Sequence, residues 1–337
     1  MSLDFEKPII KLEEKLTQIK ELASKSGKNL DDEAISIEKK INDLKKDIFS
    51  KLTRWQKVQL SRHPNRPYFL DYIYKMTDEF IEIHGDRFSK DDKAMVGGFG
   101  KVDGKTIMFI GHQKGRNTKE RQYRNFGMAN PEGYRKALRL MKMAEKFNKP
   151  IVCLIDTPGA YPGIEAEERG QAEAIAKSIE CCMELKVPNI SIIIGEGGSG
   201  GAIALASANK VIMLENSIYS VISPEGCASI LWRDPKKTLE AAEAMKLSAK
   251  DLFNLKIIDE IIDEPTGGAH RDKNKILENV KNSISKNLDS FKDMSRDEIL
   301  TQRKNKFLKV GREEGFINNP EEISDLKNTI NKFSFIR

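Results

Sequence analysis

The 337 residues carry 57 Lys and Arg against 51 Asp and Glu, a net charge of +6, and charged residues make up 32% of the chain. No apolar run reaches the length of a bilayer span and no secretory leader is recognisable, which excludes a membrane protein and leads us to expect a globular cytoplasmic one. Cys153, Cys181, Cys182 and Cys227 form no CxxC pair, so a zinc ribbon, a disulfide framework and a metal held by this chain are not expected; the positive balance favours phosphate-bearing ligands or acidic partners, without a nucleic-acid motif.

Residues 1–60 place Ile9, Leu12, Leu16 and Ile19, then Ile35, Ile41, Leu44, Ile48, Leu52 and Trp55, at helical spacing, with a break at Ser26-Gly27-Lys28-Asn29. This predicts an antiparallel helical hairpin whose apolar stripe serves packing or oligomerisation. Past His63-Pro64-Asn65-Arg66-Pro67, an amphipathic helix is predicted over Tyr68–Ile83, ending at His84-Gly85-Asp86-Arg87. Met95–Gly100 and Thr106–Gly111 read as strands of a hairpin turned by Asp103-Gly104. Gly104-Lys105-Thr106 also imitates the end of a phosphate-binding loop, but the first glycine of that motif would fall at Phe99, which excludes it.

Gln113–Asn125 reads as a polar loop with Lys114, Arg116, Lys119, Arg121 and Arg124 against one acid, Glu120. A solvated face is one reading, and phosphate binding by Lys114 and Arg116 is the other. Pro131 opens a helix over Glu132–Phe147 with Ala137, Leu140, Met141 and Ala144 on one face. Strand Ile151–Ile155 follows, then Asp156-Thr157-Pro158-Gly159-Ala160-Tyr161-Pro162-Gly163, a stiff loop where open α/β folds place their ligands. Glu165–Leu185 is predicted helical, Lys210–Leu214 and Ile218–Ile222 are short strands, and Ser248–Ile262 reads helix then strand before a charged helical tail. Repetition of strand, strand, helix over 95–147, 151–185 and 210–232 predicts stacked turns of a superhelix in place of a plain βαβ sheet. Ala244–Leu247 and Leu140–Met143 imitate the lysine site of a biotin carrier, yet both sit in helical pattern instead of a β-turn.

The chain is organised around Ile190–Ala206, ISIIIGEGGSGGAIALA, which reads as buried strand, tight glycine loop and helix start. The first N–H groups of a helix lack intrahelical partners, so this loop is a candidate oxyanion hole. Gly197-Gly198-Ser199-Gly200-Gly201 also fits G-x-S-x-G, and Ser199 as a hydrolase nucleophile stands beside the amide reading and beside a plain tight turn. The hydrolase would need a base, and downstream of Ser199 the chain offers only His270.

These segments closely resemble the α subunit of bacterial acetyl-CoA carboxylase carboxyltransferase, through DTPGAYPG at 156–163, EERGQAEAIA at 167–176, GEGGSGGAIAL at 195–205, SVISPEGCASILW at 220–232 and GGAHRD at 267–272. RHPNRPY at 62–68, GHQKGR at 111–116, and RNFGM and PEGYRKALRLM within 124–141 extend it over nearly the whole chain. The resemblance implies an α/β crotonase-like ββα superhelix at 61–272 between the helical hairpin at 1–60 and a charged helical tail at 273–337. It further implies an α2β2 assembly with a β subunit that carries the zinc, served by biotin carboxylase and biotin carboxyl carrier protein, turning acetyl-CoA into malonyl-CoA for fatty acid synthesis.

Carboxyl transfer of that kind asks for two pockets, one for the thioester enolate and one for the ureido oxygen of biotin as carboxybiotin gives up its carboxyl group. Neither needs a serine nucleophile, only amides aimed at an oxygen. By similarity, Gly200 and Gly201 hold the biotin carbonyl, with Gly197, Gly198 and Ala202 around them, and a matching glycine pair in the β subunit holds the enolate. Asp156, Gly159 and Gly163 are expected to shape the biotin pocket through the stiff loop, and Lys114 and Arg116 to meet coenzyme A phosphates or the acidic carrier.

Overall fold

The computed structural model describes residues 3–26 and 31–311. Two helices, α1 (Lys7–Ser26) and α2 (Asp31–Ser50), pack through Ile9, Ile19, Ile37 and Ile41; the expected stripe is corrected at one position, since Ile35 is exposed and Ile37 faces the partner helix instead. The Gly27-Lys28-Asn29 part of the expected break lies outside the described residues. Helix α3 (Arg54–Ser61) starts at a Thr53 cap whose side chain accepts from the Gln56 N–H. Next comes α4 (Phe69–Met76), followed by strand β1 (Glu79–Glu82). The single helix expected over Tyr68–Ile83 is therefore corrected. Phe80 and Ile83, three apart, suit one helix face, but here they pack into cores on opposite faces of the sheet, and β1 pairs antiparallel with β2 (Met95–Val102).

β2 and β3 (Lys105–His112) form the expected hairpin, with Asp103 at φ 48° and Gly104 at φ 78° in its turn. The segment read as a polar loop contains α5 (Thr118–Tyr123), capped by the Asn117 side chain on the Glu120 N–H. Then follow α6 (Pro131–Lys146), β4 (Ile151–Thr157), α7 (Ile164–Glu168) and α8 (Gln171–Glu184). The latter two were expected as one helix and are split where Gly170 takes φ 81°. Next are β5 (Asn189–Gly198), α9 (Ser199–Ala206), β6 (Lys210–Leu214), β7 (Ile218–Ser220) and α10 (Pro224–Cys227). The described residues end with α11 (Thr238–Met245), α12 (Ala249–Asn254), β8 (Glu260–Ile262), α13 (Lys273–Asp289) and α14 (Arg296–Lys309).

One mixed sheet runs β1-β2-β3-β4-β5-β6-β8, antiparallel up to β3 and parallel beyond. Both faces are covered, which is why β4 and β5 read as near-continuous apolar runs. In β4, Ile151, Cys153 and Ile155 enter the core under α6, α8 and α9, while Val152 and Leu154 enter the core under α4 and α13. Of the tail read as helical over 273–337, α13 and α14 are helices, α13 supplies core through Ile276, Val280 and Ile284, and residues 312–337 lie outside the described residues. Four buried cysteines are unpaired. No helix among the described residues is long and apolar enough to cross a membrane.

Strand β5 creates the site. Its residues 190–193 pair with β6, then Glu196–Gly198 leave that line and pair with β7, with a register break against β4 between Ile155 and Thr157. The chain thus turns out of the main sheet at the glycines. Of the three ββα units expected, the middle one holds a single strand, β4.

Candidate active site at the head of α9

The glycine run is not a loop. Gly195, Gly197 and Gly198 finish β5, and one residue, Ser199 at φ 48°, turns the strand into the helix. A serine in the left-handed region is strained, and such strain collects at functional turns. Close packing explains the glycines. A Cβ on Gly198 would strike the Pro158 carbonyl, one on Gly201 would come 2.8 Å from the Gly159 carbonyl carbon, and one on Gly197 would crowd the Tyr219 ring at 3.0 Å. Gly200 is different, since its Cβ would meet only the Ile175 side chain, at 3.3 Å. Gly201 and Ala202 are buried, whereas Ser199 and Gly200 border a cavity of about 650 Å³. Helix α9 has no side-chain cap, so its leading N–H groups remain oriented donors at that cavity.

The far wall comprises Pro158, Gly159 and Ala160 from the loop after β4, Ser223 as the cap of α10, and Glu225 within it. A second cavity of about 290 Å³ shares Arg62, Pro158 and Glu196 with the first and adds Tyr68, Lys114 and Arg121. Between the two runs a chain of charges. Lys114 Nζ lies 2.7 Å from Asp156 Oδ1 and 3.0 Å from Glu196 Oε2, while Arg62 donates to Glu196 Oε1 at 2.7 Å and to Glu225 Oε1 at 2.5 Å. Burial opposes the charge on Lys114, yet Asp156 and Glu196 hold the ammonium protonated far above ordinary lysine. Burial would likewise raise Glu196, but Lys114 and Arg62 bring it below the usual carboxylate range. Burial, assisted by Lys114, pushes the His112 imidazole down to about 3, so this ring is neutral.

The two basic residues considered for phosphate both meet protein groups here. The Lys114 ammonium is committed to two carboxylates; Arg116 donates to the carbonyls of Pro64 and Arg66, pairs with Asp71 and lies 4.0 Å over the Tyr68 ring. Asp156 is buried, receiving the Glu196 N–H at 3.0 Å, which makes it an anchor for the end of β5. Gly163 packs beneath the Tyr161 ring. Arg62, Glu196 and Glu225 were missed because their meeting spans 134 and 163 residues of chain, which no local pattern reveals.

Among the described residues the one grouping of metal-ligand types is Glu6, His63 and His270. Arg271 already donates to Glu6 Oε1 from Nε and Nη2 at 3.1 and 3.0 Å, and the Asn65 N–H donates to His63 Nδ1 at 3.2 Å. A guanidinium therefore sits where a cation would, and the group works as a latch between the N-terminus and the 267–272 turn. His270 Nε2 faces Glu6 Oε1 at 3.0 Å and its ring lies on His63, so it serves this latch and is not the base of a serine hydrolase.

Solved structures of similar shape include transcarboxylase 12S, with a TM-score of 0.55 at 19% identity over 67% of this chain and 42% of that one. Another is a Pseudomonas malonate decarboxylase hetero-tetramer, with a TM-score of 0.53 at 15% identity over 71% of this chain and 90% of that one. The fold is that of the crotonase-like carboxyltransferases. The family model described as acetyl co-enzyme A carboxylase carboxyltransferase-like matches residues 2–311. The acetyl-coenzyme A carboxylase carboxyl transferase subunit alpha of Pelagibacter ubique is 57% identical over 96% of this chain and 89% of its own length. Its counterpart from Geobacter metallireducens is 54% identical over 92% and 97%. The chain belongs to this family of carboxyltransferase alpha subunits, and the serine hydrolase reading is set aside.

Proposed function

We propose that this chain handles the carboxyl donor in a two-subunit carboxyltransferase that moves a carboxyl group from carboxybiotin, borne on biotin carboxyl carrier protein, to acetyl-CoA and so forms malonyl-CoA. The observation that carries this reading is the uncapped head of α9, opening through Ser199 and Gly200 onto the larger cavity. N–H groups of Gly200 and Gly201 donate to the ureido oxygen as negative charge collects there, a contribution of about 3 kcal/mol by analogy with other oxyanion holes. Pro158–Ala160 shape the wall, and Lys114, through Asp156, holds the end of β5 in place. The ureido anion released by transfer accepts the acetyl proton, so no side-chain base is needed in this subunit.

A partner β subunit, carrying the zinc and the enolate pocket in an α2β2 assembly, completes the site. Support comes from apolar side chains left bare beside it, with Val221, Ile230 and Leu231 exposed at 79%, 66% and 71%. Co-purification with the zinc-bearing subunit, followed by malonyl-CoA-dependent carboxylation of free biotin, tests the reading. Transfer by the pair and not by this chain alone is expected; no transfer by an intact pair would refute it.

A further inference from the structure

Beneath α9 lies a hydroxyl with nothing to bond. Tyr134, on α6, is fully buried and its Oη has no hydrogen-bond partner among the described residues. The Ala160 N–H, in the loop that walls the larger cavity, also has none. Both atoms border the same spot, since a Cβ placed on Gly201 would sit 3.1 Å from Tyr134 Oη and 2.9 Å from Ala160 N. Ser178 Oγ donates to the Tyr134 carbonyl at 3.0 Å, and Gln171 Nε2 donates to the carbonyls of Ala129 and Tyr161 at 3.0 and 2.9 Å. A buried hydroxyl without a partner is unfavourable, and a small inward settling of the loop that brings the Ala160 N–H to it removes the penalty.

We propose that Tyr134 is a positioning residue for the site. A ligand filling the cavity presses on Gly159 and Ala160, the Ala160 N–H then donates to Tyr134 Oη, and the loop locks against Gly201, fixing the Gly201 amide at the height the bound oxygen requires. This rests on the carboxyltransferase reading. It also explains why 201 must be glycine while the tyrosine beneath keeps a polar tip.

The test is Tyr134→Phe in the assembled complex. Removing an unpaired hydroxyl should leave the melting temperature unchanged or higher, leave KM for malonyl-CoA unchanged, and lower kcat for free-biotin carboxylation about tenfold. With free biotin as probe, hydrogen exchange at the Ala160 amide should slow in the wild-type complex and not in the variant. A kcat within about twofold of wild type would overturn the proposal, as would equal slowing of Ala160 in both proteins. So would a lower melting temperature, which would mean that the hydroxyl is already paired. Absence of transfer in the wild-type complex would count against the functional reading, and the exchange experiment would still decide the pairing.

Discussion

Two charge clusters, one buried and one partly open, draw on the 62–68 segment, and they are built differently. On one side Arg66 makes a closed pair with Glu264, at 2.6 and 2.9 Å, and gives two further donors to the Ile194 carbonyl. Glu264 is completed in turn by the Ala269 and Asn216 N–H groups at 2.8 and 3.1 Å. Four of the five guanidinium N–H groups and both carboxylate oxygens are thus engaged inside the fold. On the other side Arg62 and Lys114, two cations, face three carboxylates, Asp156, Glu196 and Glu225, along the walls of two cavities. That cluster adjoins donors at the head of α9 that the fold leaves unpaired. Full satisfaction marks scaffold, and open valence at a cavity marks the site.

The largest effect on stability should come from opening the closed cluster. Glu264→Ala leaves a buried guanidinium without its counter-charge, which should cost about 3–5 kcal/mol in urea unfolding. A loss under about 1 kcal/mol would show that the pair is not closed as described. The latch at the N-terminus should matter less and should depend on pH. Burial alone would raise the Glu6 carboxyl, but His270 and Arg271 bring it to about 2, below its ordinary 4.5. A depressed carboxyl contributes fully above its unfolded value and loses that contribution as pH falls through the folded one. Glu6→Gln should therefore destabilise by about 1–3 kcal/mol at neutral pH, and the gap from wild type should close as pH falls from about 4.5 towards 2. A gap independent of pH would contradict the latch. The smallest effect should be at Ser199, whose backbone turns the chain but whose hydroxyl is given no role. Ser199→Ala should keep transfer within about threefold of wild type, and complete loss with labelling by a fluorophosphonate would restore the nucleophile.

The sequence made part of this comparison readable. Asp103-Gly104 announced its hairpin, the Ile151 and Ile190 runs announced their strands, and glycines at 197–201 announced a close approach of helix and strand. Other features were ambiguous locally. Phe80 and Ile83 satisfy both periods, and only pairing with β2 decides for a strand. Asn117 three residues before Glu120 is a capping signal overlooked among the lysines and arginines. The charge clusters were out of reach, because Arg66 and Glu264 lie 198 residues apart and Arg62 and Glu196 lie 134 apart. Charge alone did not show that Lys114, in a basic segment, ties two buried carboxylates together.

The most direct test of the central claim is Gly201→Val in the assembled complex, assayed for malonyl-CoA-dependent carboxylation of free biotin. A side chain there meets the backbone of Gly159 and Ala160 at 2.8 and 2.9 Å, so the head of α9 must shift away from the loop. The account predicts that the complex still assembles while kcat falls about a hundredfold or more, as for the loss of an oxyanion donor. Full activity in a correctly assembled Gly201→Val complex would contradict it.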